Sequence, residues 1–544
     1  MFPSSYLLAG LLFLLIPSHL DGARILIVLP LPLWSHYQQF HLLWETLAQR
    51  GHEVTVYSAF PPTEVIPNFK HVNFTMTKSK EIFDTWNHSE VIKDQFVSSK
   101  MYEVTEFWYR FHTQRAIFNF GLLLSKEIFA HPTFHDLLES NEKYDLIITE
   151  NFFGQESLAV LGHKFKAPII AETSHGTPPN CYLLMGNPNL YSYIPDFKFT
   201  YSSRMNFMQR LQNTALGVLT HIVGDFWYFP QQDAIMRQFS KPGDNLPYIK
   251  TMMQNISATL IYSDPILEFQ RPQVSNLIHV GGIHLKEEKL PKDLEDIMTK
   301  SAGGVIYVSF GSIIQTGKMS SEMQEQLFDA FSKIGLTVLW RWKGDLPENV
   351  PKNIILRSWF PQQAVLAHSN CRLFISHGGV SSIIETIHYG VPIVGVPLFN
   401  DQMANIQHVL ELGAGVMLSY FNMTEESLSW ATRTILNNPS YSRNAQAASQ
   451  RFNDRQVPPL HNAVWWVEYV LRHHGAPHLR SAFDHLSWTE FLLLDVVAFV
   501  LGVLLVILYL LLRIVRAVKS CLMYPFRGTG NEKTKTIKKK GKVE

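Results

Sequence analysis

The sequence predicts an α/β protein in which two doubly wound, parallel-sheet domains follow one another. Three observations carry that prediction. At 544 residues the chain exceeds what one hydrophobic core organises. Short apolar runs rich in β-branched residues recur in two separate series with helical stretches between them. Those runs read as strands covered on both faces, as in parallel sheets.

The first series opens with the strand Arg24 to Leu29, a Pro-rich turn, the helical stretch Tyr37 to Gln49 and the strand Glu53 to Tyr57. Asp145 to Thr149 and Ala167 to Ala171 repeat the strand signal. A linker around Phe269 to Gly282 leads into the second series: Val305 to Phe310, Thr337 to Arg341, Ile354 to Arg357, Leu373 to Ser376 and Ile393 to Val396. The expected division is a signal peptide at 1–22, a first domain at 23–270, a linker at 271–285 and a second domain at 286–445. C-terminal helices and a membrane-proximal segment follow at 446–490, then a transmembrane helix at 491–512 and a basic tail at 513–544. Two such domains leave a cleft between the carboxyl ends of their strands, where ligands of open α/β sheets bind. Apolar and aromatic residues at mixed spacing between Asn206 and Phe229 predict core, with contact to a membrane surface as the alternative.

Charge is balanced, 47 basic against 46 acidic residues, so no global field points to nucleic acid. Tyr6 to Pro17 is an apolar run too short to span a bilayer and reads as a signal peptide. Phe491 to Leu512 is long enough for one span, with Asp495 its single charge. Arg513, Arg516, Lys519 and the lysines beyond them keep the tail cytosolic and the bulk of the protein lumenal. Lys540 and Lys542 near the terminus resemble a retrieval signal of endoplasmic-reticulum membrane proteins; a solvated or lipid-bound tail is the plainer alternative. Asn73, Asn87, Asn255 and Asn422 head N-glycosylation acceptors on the lumenal side. Cys181, Cys371 and Cys521 are too few and scattered for a disulfide framework or a metal cluster.

The stretch from Phe374 to Gln402 carries the most chemistry. A strand ends at His377, Gly378 and Gly379 let backbone approach a ligand, and Ser381 and Ser382 sit where a helix begins. Helix N-terminal amides with adjacent hydroxyls make a diphosphate site. Glu385 lies one turn beyond Ser381 on the same face, within reach of ribose hydroxyls. Read alone, the segment is also consistent with a tight strand-to-helix turn.

Together with Trp359-Phe360-Pro361-Gln362, this segment resembles the signature of the UDP-glycosyltransferase family. The similarity extends through Val280-Gly281-Gly282-Ile283-His284 and Phe310-Gly311-Ser312 over nearly the whole chain, and is strongest to invertebrate, especially insect, members. The resemblance implies the GT-B arrangement of two Rossmann-like domains facing a cleft. It implies that Trp359 stacks on uracil, that the Phe360 backbone reads the base edge, and that Gln362 and Glu385 hold the ribose. His377, Gly379, Ser381, Ser382 and Ser312 would serve the diphosphate, and Asp401 and Gln402 the sugar hydroxyls. Many relatives have Asn where this chain has Ser381.

His36, between the first strand and helix, stands where relatives carry a catalytic base. Glu150, after the strand ending at Thr149, stands where they carry the acid that orients it, commonly Asp in vertebrate enzymes. The implied reaction is an inverting transfer from a UDP-sugar, a co-substrate and not a cofactor, to a hydroxyl of a small lipophilic acceptor. The chain contains no Asp-x-Asp element, so no metal is expected. Tyr262 stands where glucuronosyl relatives have arginine, which favours a neutral sugar, glucose foremost; glucuronate is the alternative. A non-catalytic UDP-sugar or lipid-binding protein on the same fold is a second alternative. Leu29-Pro30-Leu31-Pro32 lacks the glycines a dinucleotide-binding oxidoreductase requires. Assembly with a second copy stays open.

Overall fold

A computed structural model describes residues 22–86, 104–152, 154–176, 179–240, 245–311, 316–398 and 401–523. Residues 1–21 of the expected signal peptide, Asn87, Ser312 and the tail from 524 lie outside them. The chain divides into two compact units, one ending at Ser481 and one beginning at Ala482.

The first unit holds two all-parallel sheets. Strands β1 (Arg24–Leu29), β2 (Glu53–Ser58), β3 (Phe69–Asn73), β4 (Leu146–Glu150), β5 (Ile169–Thr173), β6 (Ile256–Ile261) and β7 (Leu277–His279) form one, in the order β3-β2-β1-β4-β5-β6-β7. Strands β8 (Val305–Ser309), β9 (Thr337–Arg341), β10 (Ile354–Arg357), β11 (Cys371–Ser376), β12 (Ile393–Gly395) and β13 (Gly415–Met417) form the other, in the order β10-β9-β8-β11-β12-β13. Central strands β4, β5, β6 and β8 are buried at every position, as expected of strands with helices on both faces. In each sheet the connections run one way from the first strand and the other way from the fourth. The crevice therefore opens between β1 and β4 and between β8 and β11, the topological switch points where α/β proteins bind ligands.

Four strands were absent from the sequence reading. β3 is a half-exposed edge strand, Phe-Lys-His-Val-Asn, without a continuous apolar run. β6, Ile-Ser-Ala-Thr-Leu-Ile, dilutes its apolar signal with a serine and a threonine that the fold buries. β7 and β13 are three residues each, and β7 closes the first sheet from within the stretch expected to be linker.

Helix α1 (Trp34–Gln49) starts earlier than expected, because nothing after Pro32 interrupts it. His36 thus stands in its first turn, not in a loop. Phe40, Leu43, Trp44 and Leu47 are its buried stripe, at helical spacing; each such burial stabilises the fold by about 1.5–3 kcal/mol. The late helix Pro459–Arg472 returns to pack on α1, and Arg50 donates to Glu468 at 2.6 Å.

Helix α2 (Val104–Ala130) crosses the loop after β4, where Gly121 meets Gly154. A Cβ on Gly154, whose φ is +84°, would lie 2.2 Å from the Gly121 carbonyl oxygen, so the helix reaches this loop only because both residues lack side chains. Helices α3 (Phe207–Val223) and α4 (Phe229–Gln238) are joined by a π-helical turn, Gly224–Tyr228. This span corrects the expectation of core: Phe207, Met208, Leu211, Val218, Ile222 and Phe226 are exposed. The buried face is carried by Asn213, Leu216, Gly217 and Thr220, with Tyr228 turned inward.

In the second unit, Leu493 takes a left-handed conformation that separates the short helix Trp488–Phe491 from helix α5 (Leu494–Met523). The membrane-spanning candidate therefore begins after Phe491 and continues past Leu512 through Arg513, Arg516 and Lys519. It is exposed along its length.

Candidate active site

At the first switch point, β1 delivers the chain to α1 and β4 ends on Glu150. Leaving in opposite directions, the two connections let their first residues meet: His36 Nδ1 lies 2.9 and 3.0 Å from the two carboxylate oxygens of Glu150. Ser174, just past β5, donates its hydroxyl to Glu150 at 2.6 Å, and the Gln155 amide donates at 2.8 Å. Burial works to raise the Glu150 pKa. The charge and hydrogen bond of His36, with Ser174 and Gln155, outweigh it and leave the pKa below the ordinary value. An ionised Glu150 accepts a hydrogen bond from Nδ1–H, so the imidazole lone pair resides on Nε2. Ser174 Oγ lies 3.4 Å from Nε2. The sequence reading missed Ser174 and Gln155. Ser174 was accessible to it, standing at the carboxyl end of the strand next to that of Glu150.

A second carboxylate neighbours the first. Glu172 on β5 is the register partner of Glu150, is buried, and accepts a hydrogen bond from the Trp44 indole at 2.9 Å. Burial, with the Glu150 charge, pushes its pKa well up.

At the second switch point β11 ends before His377, and the helix Val380–Tyr389 begins after Gly379. The imidazole of His377 fits between two glycines: a Cβ on Gly311 or on Gly379 would come within 2.6 Å of Nε2. Burial pushes the His377 pKa down to about 4, against a smaller opposing pull from the Ser309 backbone, so the ring is neutral at physiological pH. Backbone amides of Val380, Ser381 and Ser382 open the helix, the geometry that attracts an anion.

Beside them runs a buried polar chain. Gln362 donates to Glu385 at 2.6 Å and to Ser382 at 3.1 Å, and Tyr307 donates to Gln362 at 3.2 Å. His284 lies 3.1 Å from Glu385, and Tyr262 2.5 Å from His284. Ser382 thus turns toward Gln362 and Glu385, and Tyr262 is buried behind them instead of facing a sugar. Trp359 is 59% exposed, with the Arg341 guanidinium 4.7 Å from its ring, and Phe360 is buried against Tyr307. Trp359 is accordingly a surface platform and not core. Asp401 holds the Asn405 amide at 2.7 Å, and the Gln402 carbonyl accepts the Leu398 amide at 2.8 Å, bracing the loop before it.

The two halves touch. Gln39, one turn after His36, donates to Ser381 at 3.3 Å. Gly176 from the first sheet's side and Asp401 from the second line one cavity of about 60 Å³ of space open to water centres. Among the described residues, no three His, Cys, Asp or Glu side chains group as metal ligands. Asn73, Asn255 and Asn422 are exposed, as glycan acceptors must be.

Comparison with known proteins gives the family to which the chain that carries these residues belongs. The family model described as "UDP-glucoronosyl and UDP-glucosyl transferase" matches residues 24–527. The chain belongs to that UDP-glycosyltransferase family. A UDP-glycosyltransferase of the insect Dactylopius coccus is 34% identical over 498 residues, covering 90% of this chain and 92% of its own. Human 2-hydroxyacylsphingosine 1-beta-galactosyltransferase is 32% identical over 508 residues, covering 90% and 87%. Among solved structures, a UDP-glucose: anthocyanidin 3-O-glucosyltransferase in complex with UDP superposes with a TM-score of 0.54 at 17% identity, covering 84% of this chain and all of its own. That likeness is one of fold, the GT-B arrangement. The chain is thus a glycosyltransferase of GT-B fold with, among the described residues, one helix long and apolar enough to cross a membrane.

Proposed function

We propose that this transferase moves a neutral hexose, glucose foremost, from its UDP-sugar to a hydroxyl of a small lipophilic acceptor with inversion at the anomeric carbon. The observation that carries the reading is the Gln39–Ser381 contact. It sets the helix bearing His36 against the start of the helix bearing the phosphate amides, so base and leaving group face one another across the cleft.

In this mechanism His36 Nε2 removes the acceptor proton as the oxygen attacks the anomeric carbon. Glu150 keeps Nδ1 protonated and stabilises the imidazolium that forms. UDP departs opposite the attack, its developing charge met by the helix amides and by the neutral His377 ring as a hydrogen-bond donor. Trp359 stacks on the base; Gln362 and Glu385 take the ribose; Gly379, Ser381, Ser382 and Ser312 serve the diphosphate; Asp401 and Gln402 serve the sugar.

A glucuronate carboxylate would need a cation. Arg271 lines the interdomain cavity near Asp401, but its guanidinium lies 4.3 Å from the Tyr182 ring and its charge is spent on buried Glu268, which supports the neutral sugar. The protein is proposed to reside in the endoplasmic-reticulum membrane, with the sheets lumenal and the tail cytosolic. Initial rates with UDP-glucose and UDP-glucuronate test the donor. Turnover tenfold higher with glucuronate overturns the neutral-sugar reading, and loss of UDP affinity in His36→Ala, expected only to abolish transfer, would make His36 structural.

A further inference from the structure

Two cavities in the first sheet's helical layer take no part in the chemistry above. Asn151, Phe152, Cys181 and Lys198 help to wall the inner one, which has about 20 Å³ open to water centres. Phe111, Arg115, Val223 and Trp227 help to wall the outer one, which has about 200 Å³. Gln114, Phe118 and Thr220 line both, so the two cavities adjoin. The outer end lies at the π-helical turn, beside half-exposed Trp227. Toward its inner end the passage approaches the catalytic pair. Asn151 follows Glu150 in the chain, and the Phe152 ring lies 4.9 Å from that of His175, the neighbour of Ser174.

The inner walls are mostly apolar but include Gln114, buried Glu156 and the buried Lys198–Asp196 ion pair, the outer walls include Gln114 and Arg115, and a few buried atoms along both have no hydrogen-bond partner. Asn151 is 3% exposed; the Cys181 thiol donates to its Oδ1 at 3.5 Å, which orients the amide and leaves Nδ2 unpartnered. Thr220 is 6% exposed and its Oγ1 is also unpartnered. Thr46, Thr386 and Thr432 return their hydroxyls to the carbonyl four residues earlier, as mid-helix threonines commonly do, and Thr220 does not. A buried donor without a partner stays unfavourable until an oxygen reaches it.

We propose that the two cavities form one acceptor channel, running from Trp227 past Thr220 and Asn151 toward His36, that selects elongated, mostly apolar alcohols. Such an alcohol carries a second, hydrogen-bond-accepting oxygen between its reactive hydroxyl and its apolar far end. The inner throat admits a flat ring only with movement of its aromatic walls, whereas the outer cavity receives the far end as it stands. The proposal rests on the acceptor-hydroxyl reading given above and adds to it the shape and chemistry of the acceptor.

Full-length protein in microsomes with UDP-glucose provides the test, with initial rates for 4-nitrophenol, 4-phenylphenol and 4-(4-methoxyphenyl)phenol and with UDP titration as the check on folding. Val223→Trp, which plugs the outer cavity, is expected to lower the two-ring to one-ring ratio of kcat/KM at least tenfold. Thr220→Val, which keeps shape and removes the hydroxyl, is expected to lower kcat/KM for the methoxy compound about tenfold relative to 4-phenylphenol. An unchanged two-ring to one-ring ratio in Val223→Trp overturns the channel, and equal effects of Thr220→Val on both biaryls overturn the oxygen contact and leave those buried atoms to water. Should Val223→Trp lose UDP binding, the same ratio measured in Arg115→Trp, at an exposed position on the same cavity, decides the channel. Wild-type protein that binds UDP but glycosylates none of the three acceptors refutes the acceptor-hydroxyl reading itself, a result distinct from transfer with unaltered ratios.

Discussion

Replacing Glu150 by Gln removes a charge while keeping shape, and the structure permits an estimate of the cost. The carboxylate faces His36 Nδ1 at 2.9 Å and is buried, so the charge centres of an imidazolium and Glu150 would stand about 4 Å apart. At an effective dielectric constant of about 20 that pair is worth about 4 kcal/mol. The imidazolium exists only once the acceptor proton has moved, so the loss falls on the transition state and amounts to about three decades in kcat. Glutamine also brings an NH2 group to a pocket whose other members, Ser174 and Gln155, already donate, which favours the wrong imidazole tautomer. The assay is kcat for glucosyl transfer at pH 7 beside UDP affinity by titration. Turnover should fall about 1000-fold with UDP affinity nearly unchanged, and Glu150→Asp should recover part of it. A fall of less than tenfold would refute the assignment of Glu150 as the partner that stabilises the charged base.

Burial pushes the Glu156 carboxyl up to about 7, while Tyr228 donates to it at 3.0 Å. The stability this group contributes is therefore full below about pH 4.5 and lost as pH rises through about 7, in all about 3 kcal/mol. Glu156→Gln should narrow by a few degrees the gap between melting temperatures at pH 5 and pH 8; an unaltered gap would show that another group sets it. Trp359→Ala should raise the Kd for UDP by about tenfold or more, from loss of about 1–3 kcal/mol of base stacking, without changing that for the acceptor. EDTA should leave turnover within twofold of its untreated value; collapse restored by manganese or magnesium would mean that a metal assists UDP departure.

Continuity of apolar character decided what could be read in advance. β1, β9 and β10 matched their expected bounds because each is an unbroken β-branched or aromatic run between polar residues. β6 was hidden by a serine and a threonine whose burial depends on neighbours far away in sequence. The candidate site was legible where a polar residue stands at a strand end, as at Glu150 and His377. It was illegible where partners arrive from elsewhere: Trp44 reaches Glu172, His284 reaches Glu385 and Gln39 reaches Ser381 across long stretches of chain. Tyr262 shows the hazard of reasoning from one aligned position, because its hydroxyl meets His284, which in turn meets Glu385, and its ring is core.

The pairing of Glu150 with Glu172 has an electrostatic consequence for substrate capture. Two ionised carboxylates side by side at the mouth of the first sheet would set up a negative field in the direction from which a doubly charged diphosphate arrives, slowing its approach and weakening its hold. Burial pushes the Glu172 carboxyl well up, which holds the pair toward a single negative charge, and that charge on Glu150 is met by hydrogen bonds from His36, Ser174 and Gln155. A residue that takes no part in bond making can thereby govern how readily the enzyme fills with donor.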